Sequence, residues 1–299
     1  MSNSKPVSTP LALGGRLVRM TGSNGDIDSK LYQGIVGSIM YGMLCTRSDL
    51  AFPIQQLSQF SSNPANAHFQ AGKRAMRYLQ GTPTTGPIYT GEITDPIQGY
   101  CDPNYGAGED QKSISGYMFL LASAPVSWQA KKQTTVAQFT VESEYAAIAL
   151  AAKEMIWLQH LLRDLEMSKY ASKMLFCNNQ GTISLAKDPT HHAKTNHVDL
   201  QLHFIRAHVE KRTIDVKYCP TENMLADLMT KGLPRKRHER LLGLMGVGSC
   251  EQTTTPSPVR PGRMEIISGS EEFHNSHGGA GIGSSYLCYS NCDMFNVTL

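Results

Sequence analysis

The chain has 299 residues, is 40% hydrophobic and carries a formal charge of +3. It can bury the core of one large or two ordinary domains, and its charge is too small to indicate a nucleic-acid partner unless the basic groups cluster. Seven cysteines, at 45, 101, 177, 219, 250, 288 and 292, form no C-x-x-C pair, which argues against a disulfide framework and a zinc knuckle. No apolar run reaches membrane-spanning length and MSNSKPVSTPLALGG lacks a signal-peptide layout, so a cytoplasmic or nuclear location without a membrane is expected.

Residues 1–30, rich in Gly, Ser, Pro and Asn, read as an irregular lead-in. Helical periodicity starts at Leu31 and runs through Ile35, Ile39, Met40 and Met43. Ser48 and Asp49 can open a second helix with Leu50, Ile54 and Leu57, in which Pro53 falls near the first turn. A third helix, from Asn66, carries Phe69, Lys73, Met76, Arg77 and Leu79, and GTPTTG closes it. Residues 31–91 are therefore expected to form a small helical unit whose apolar stripes need a packing partner.

After Gly91 the period shortens. IQGYCD (97–102), SGYMFLLA (115–122) and TTVAQFT (134–140) read as strands, and a long helix follows from Glu142 to Met167. KMLFCN (173–178) reads as a buried strand, followed by helical segments at TISLAK and VDLQLHFIRAHVEKR. TIDVKYC (213–219) alternates as a strand, and two helices near 222–231 and 235–245 end the folded part. The order predicts an α/β domain over 92–247 with a mixed five-stranded sheet and flanking helices. Residues 248–299 are too poor in apolar surface for a core and are expected to be a disordered tail. The GGAGIG run in it does not follow a strand, which argues against a dinucleotide loop.

Asp102 ends the first predicted strand, Glu144 lies in the opening turns of the long helix, Asn178 ends the fourth strand and Asp227 follows the last. If strands one and four are neighbours, these four positions converge. Carboxylates so placed repel unless cations join them; Mg²⁺ or Mn²⁺ takes such oxygen ligands, and two ions can drive phosphodiester cleavage. The competing reading is of ordinary surface and helix N-terminal acids.

Residues 31 to about 247 resemble the end of a Ty1/copia-type retrotransposon Pol polyprotein. The resemblance rests on YQGIVGSIMYGMLCTRSDLAFPIQQLSQFSSNP and HFQAGKRAMRYLQGT, then on YCDPNYGAGEDQKSISGYMFLL, PVSWQAKKQTTVAQFTVESEYAAIALAAKE, NNQGTISLAKDP, HHAKTNHVDLQLHFIR and CPTENMLADLMTKGLP. It implies a helical reverse-transcriptase thumb or connection remnant over 31–91 and a ribonuclease H-like domain over 92–247. The family's metal-binding, catalytic acids fall on Asp102, Glu144 and Asp227, with Glu142 an alternative to Glu144. The remaining family aspartate falls on Asn178, a neutral amide, so the resemblance implies an RNA–DNA hybrid nuclease of impaired activity, or an inert nucleic-acid-binding remnant or transposon relic. Asn104, after Pro103, stands where such elements usually carry an acid. No Asp-Asp dipeptide of a polymerase palm occurs, so a complete reverse transcriptase is not expected, and a reverse-transcriptase polymerase domain on another chain is a candidate partner.

Lys131, Lys132 and Lys153, with Lys73, Arg74 and Arg77, are the expected phosphate-gripping groups. Trp128 and Tyr105 can stack on a sugar or base, or be buried. Lys231, Arg235, Lys236, Arg237 and Arg240 read equally as a phosphate-facing end or as solvated helix charge. Histidines 191, 192, 197, 203 and 208 lack helical i, i+4 spacing, which argues against zinc and for hydrogen-bonding or nucleic-acid-facing roles.

Overall fold

The structure, a computed structural model, describes residues 4–14, 16–19, 27–187 and 196–249 and the backbone pairing of 287–288. Asp28 starts the first helix, α1 (Ser29–Cys45), by accepting from the backbone N–H groups of Lys30 and Leu31. Ile35 and Ile39 point inward as their spacing predicts, but Tyr32 takes the inward place beside them and Leu31 is 38% exposed. A 3₁₀ turn at Ser48–Leu50 leads into α2 (Ala51–Ser58), and α3 (Asn66–Gly81) follows. Tyr32, Ile35, Ile39, Leu50, Ile54, Leu57 and Tyr78 form the core of this helical unit.

Beside that core lies a buried polar group. Arg47 and Asp49 form an ion pair at 2.8 Å with both side chains fully shielded. Tyr78 donates to Asp49 at 2.7 Å and lies 3.0 Å from His238 Nε2. Because the one hydroxyl proton goes to Asp49, the imidazole must donate through Nε2.

The main sheet contains β2 (Gln98–Asn104), β3 (Ile114–Leu121), β4 (Ala124–Lys132), β5 (Met174–Cys177) and β6 (Asp215–Tyr218), which β1 (Thr85–Tyr89) precedes in the chain. Its spatial order is β4-β3-β2-β5-β6. The β2–β3 and β3–β4 pairs are antiparallel, whereas β2–β5 and β5–β6 are parallel. This is the mixed five-stranded α/β arrangement expected from the element order. On one face α4 (Thr140–Asp164) packs with Cys101, Phe119, Leu175 and Val216, joined by Ala186 of α5 (Gln180–Lys187) and Leu202 of α6 (Asn196–Glu210). The other face carries Tyr100, Met118 and Phe176 against α7 (Asp227–Thr230) and α8 (Arg235–Leu244).

TTVAQFT is not a strand. Residues 133–139 connect the sheet to α4, with Val136 and Phe139 50% and 69% exposed, and the third strand is β4. Pro125 and the terminal lysines obscure the alternation of β4, but an edge strand tolerates both because, among the described residues, no further strand pairs with one side of it. Trp128 and Ala130 of β4 pack against the second core. The long helix starts at Thr140 and stops at Asp164, two residues earlier than expected at one end and three at the other.

A small sheet was not anticipated. β1 pairs antiparallel with β7 (Val247–Ser249), from Thr85↔Ser249 to Pro87↔Val247, and on its other side with β8 (Leu287–Cys288). Gly246, at φ +67°, makes the approach to β7; a Cβ there would lie 1.9 Å from the Ser123 carbonyl oxygen. Apart from Gly248, Ser249 and the pairing of 287–288, the expected disordered tail, including GGAGIG, lies outside the described residues. Among the described residues no helix is long and apolar enough to cross a membrane.

Candidate active site

Strand alternation divides β2 between two environments: Cys101 belongs to the core under α4, whereas the next residue, Asp102, turns towards α7. Asp102 is 1% exposed, and its ladder partner on β3 is Gly116. A Cβ on Gly116 would come within 2.5 Å of Met229 Cβ and 2.7 Å of Thr230 Cγ2. The missing side chain thus lets α7 lie against the sheet and brings Asp227, also 1% exposed, to the Asp102 end. Asn104, two residues further along β2, donates to the Thr230 carbonyl at 2.9 Å and secures the end of α7.

Asp102 and Asp227 share one cation. Lys231 Nζ is 2.8 Å from Asp227 Oδ1, 3.1 Å from Asp102 Oδ2 and 3.3 Å from Asp102 Oδ1. Thr230 donates to Asp102 Oδ2 at 2.6 Å, and Arg237 forms an ion pair with Asp227 Oδ2. At the end of the neighbouring β5, Asn178 Nδ2 donates to Asp102 Oδ1 at 3.2 Å. All four carboxylate oxygens therefore accept from protein side chains. Burial pushes the Asp102 carboxyl upward and Asp227 adds to this, while Lys231 and Thr230 oppose it. For Lys231, burial favours the neutral amine, but Asp102 and Asp227 more than offset it and raise its pKa.

Glu144 is held differently. It accepts from Asn179 Nδ2 at 3.4 Å and lies 3.6 Å from Cys177 Sγ. Burial and the nearby Asp102 push its carboxyl up to about 7. Glu142, the alternative, accepts from the backbone N–H of Gln138 at 2.7 Å and holds the approach to α4. The adjacent amides thus divide the acids between them, Asn178 on Asp102 and Asn179 on Glu144.

This arrangement does not fit a resident pair of divalent ions. Oxygen donors of the right type are present, but among the described residues no group of three or more His, Cys, Asp or Glu side chains could hold a metal ion. The place between Asp102 and Asp227 is taken by an ammonium.

The expected phosphate-gripping residues are spread out. Lys131 and Lys132 pair across β3 with Pro103 and Asn104, two strands or about 10 Å from β2. Lys131 is exposed, and Lys132 is paired with Asp110 at 2.9 Å. Lys153 lies over the Phe204 ring at 5.8 Å, where α4 meets α6. On α3, Lys73 covers Phe69 at 4.5 Å, Arg74 donates to Thr9 at 2.9 Å, and Arg77 is half-buried. Arg74 and Arg235, from two separate basic clusters, line one cavity with Thr82 and His238.

Trp128 donates to the Met43 carbonyl at 3.2 Å, and Tyr105, 46% exposed, donates to the Gln138 carbonyl at 3.2 Å. His208 Nδ1 lies 2.8 Å from the Thr213 hydroxyl. His191 and His192, and the side chain of His197, lie outside the described residues. Lys231, Thr230 and Asn179 were not anticipated as partners of the acids. The available signal was Asp227, Thr230 and Lys231 at i, i+3 and i+4, which one helical turn gathers on one face.

No family model matches the chain and no solved structure matches it. Curated relatives do. The chain is 38% identical over 256 residues to the retrovirus-related Pol polyprotein from transposon TNT 1-94 of Nicotiana tabacum, covering 83% of this chain and 19% of that protein. It is 35% identical over 248 residues to the Pol polyprotein from transposon RE1 of Arabidopsis thaliana, covering 83% and 17%. A protein named secreted RxLR effector protein 161, from Plasmopara viticola, is 47% identical over 128 residues, which are 42% of this chain and 90% of that one. The chain is homologous to the Ty1/copia Pol polyproteins over most of its length, and it spans less than a fifth of either of the two Pol relatives named.

Proposed function

We propose that residues 92–247 are a ribonuclease H-type domain of a copia-type Pol polyprotein, with residues 31–91 a remnant of the reverse-transcriptase thumb or connection. Its substrate is the RNA strand of an RNA–DNA hybrid, and its hydrolysis is impaired at Asn178. Asp102, Glu144 and Asp227 are the acids assigned to this chemistry. Support comes from the mixed five-stranded sheet, from Asp102 and Asp227 sharing Lys231 with Glu144 near enough to feel the Asp102 charge, and from the Pol homology.

The observation that carries the reading is the amide of Asn178, which donates to Asp102 where a fourth carboxylate would draw in a divalent cation. The test is cleavage of a labelled hybrid in Mg²⁺ or Mn²⁺ by the wild type, Asn178→Asp, and Asp102→Ala in each background. The expected result is a gain of about a hundredfold or more in Asn178→Asp, the scale on which central catalytic groups act, and its loss with Asp102→Ala. Equal, measurable rates for wild type and Asn178→Asp would refute the impairment; no cleavage by any variant, nor by Asn178→Asp combined with Lys231→Met, would refute the nuclease reading.

A second reading, a hybrid-binding protein without hydrolysis, is favoured by Lys231 and Arg237 on the two buried aspartates. It predicts that wild type and Asn178→Asp bind a hybrid equally, with affinity falling as salt rises, while neither cleaves.

A further inference from the structure

Two buried carboxylates facing each other need a compensating cation. In the nuclease reading, on which the inference rests, a divalent ion supplies it; in this chain a side chain already does. Lys231 caps the C-terminal end of α7, where its backbone N–H bonds to the Asp227 carbonyl at 2.9 Å and its ammonium reaches the Asp227 carboxylate. Its ammonium reaches one oxygen of Asp227 and both of Asp102 within 3.3 Å. Thr230 and Asn178 complete Asp102, and Arg237 completes Asp227. The lysine is two-thirds shielded, so its charge acts across a medium less screening than water.

We propose that Lys231 is a tethered counter-ion that takes the place of a divalent metal between Asp102 and Asp227, closing the site to Mg²⁺ and Mn²⁺ so long as Asn178 leaves it one carboxylate short. The substitution is electrostatic and geometric. An ammonium brings one charge and three donors; a divalent ion brings two charges and demands oxygen ligands at short range. Because the lysine is covalently attached, it competes at a high effective concentration, and a free ion must both displace it and leave it unpaired. Arg237 holds the second oxygen of Asp227 and opposes a bidentate approach to that carboxylate.

The test measures metal binding and requires no turnover. Mn²⁺ is titrated into isotopically labelled wild type and Lys231→Met while paramagnetic broadening is followed at the amides of Asp102, Asp227 and their neighbours, with Mg²⁺-dependent melting read in parallel. The expected result is broadening elsewhere but not at these amides in wild type at millimolar Mn²⁺. In Lys231→Met it should appear at these amides at concentrations lower by about tenfold or more, with a melting temperature that recovers on adding Mg²⁺. Lys231→Arg, which keeps the charge, should behave as wild type.

Site-specific broadening in wild type at the same concentrations as in Lys231→Met would overturn the proposal. Should Lys231→Met fold only with metal present, the lysine's role as substitute cation is supported; should it fold without metal and bind none, the proposal fails. If it folds under neither condition, the wild-type titration decides alone, since broadening there at submillimolar Mn²⁺ refutes a closed site and its absence supports one. A Lys231→Met/Asn178→Asp protein that binds Mn²⁺ at the acids yet leaves the hybrid uncut would instead count against the nuclease reading, so the two failures are distinguishable.

Discussion

Gly116 lies directly opposite Asp102 in the β2–β3 ladder, and its missing side chain is what lets α7 bring Asp227 and Lys231 to that aspartate. Gly116→Ala should push Met229 and Thr230 off the sheet, costing about 1–3 kcal/mol as an overpacked core position does. Urea unfolding measures the loss. A stability equal to wild type would show that α7 does not need this contact.

The Arg47–Asp49 pair is shielded on both sides, so removing one partner strands a charge. Arg47→Met should cost about 3–5 kcal/mol, whereas Arg47→Met combined with Asp49→Leu should recover much of it. Equilibrium denaturation of the three proteins gives the coupling, and additive effects would contradict a buried pair.

Burial holds His238 below the ordinary histidine value of 6.5; Asp49 and Glu239 pull it part of the way back, and Arg47 opposes them. Tyr78, through its hydroxyl, is the other titratable group in contact. The unfolded chain therefore takes up this proton at a higher pH than the folded one. The histidine's contribution is complete above pH 6.5 and is lost as the pH falls below it towards the folded value. Denaturation midpoints between pH 7 and 5.5 should fall more steeply for wild type than for His238→Gln. Parallel curves would remove His238 from the account.

Trp128 joins β4 to α1 through its indole N–H and the Met43 carbonyl. Trp128→Phe removes that donor and should cost about 1–2 kcal/mol, part of it from the carbonyl left unpaired. Thermal melting measures the change, and no shift would mean that water replaces the indole.

Much of this architecture was legible in the sequence where a residue's neighbours along the chain decide its fate. Ile35 and Ile39, the alternation around Cys101 and Asp102, and the run Leu175–Cys177 each follow from period and burial alone. β4 was missed because Pro125, Lys131 and Lys132 are acceptable only on an edge, and being at an edge is a property of the whole sheet. The three acids were legible by their elements, although β2 runs two residues past Asp102, where the strand was expected to end, and Glu144 is the fifth residue of α4. Their partners were not, because Asp102 meets Lys231 and Thr230 only after α7 docks on Gly116, a contact between distant parts of the chain.

The pairing of β1 with β7 has a consequence for assembly. Thr85 and Ser249 are separated by more than half the chain, and everything from β2 to α8 lies in the loop that they close. Such a clasp forms efficiently only once the enclosed elements have condensed, because long-range pairing must first overcome the closure entropy of the intervening segment. Amide-exchange labelling during refolding should therefore find Ile88, whose N–H bonds to the Gly246 carbonyl at 2.8 Å, among the last positions to be protected.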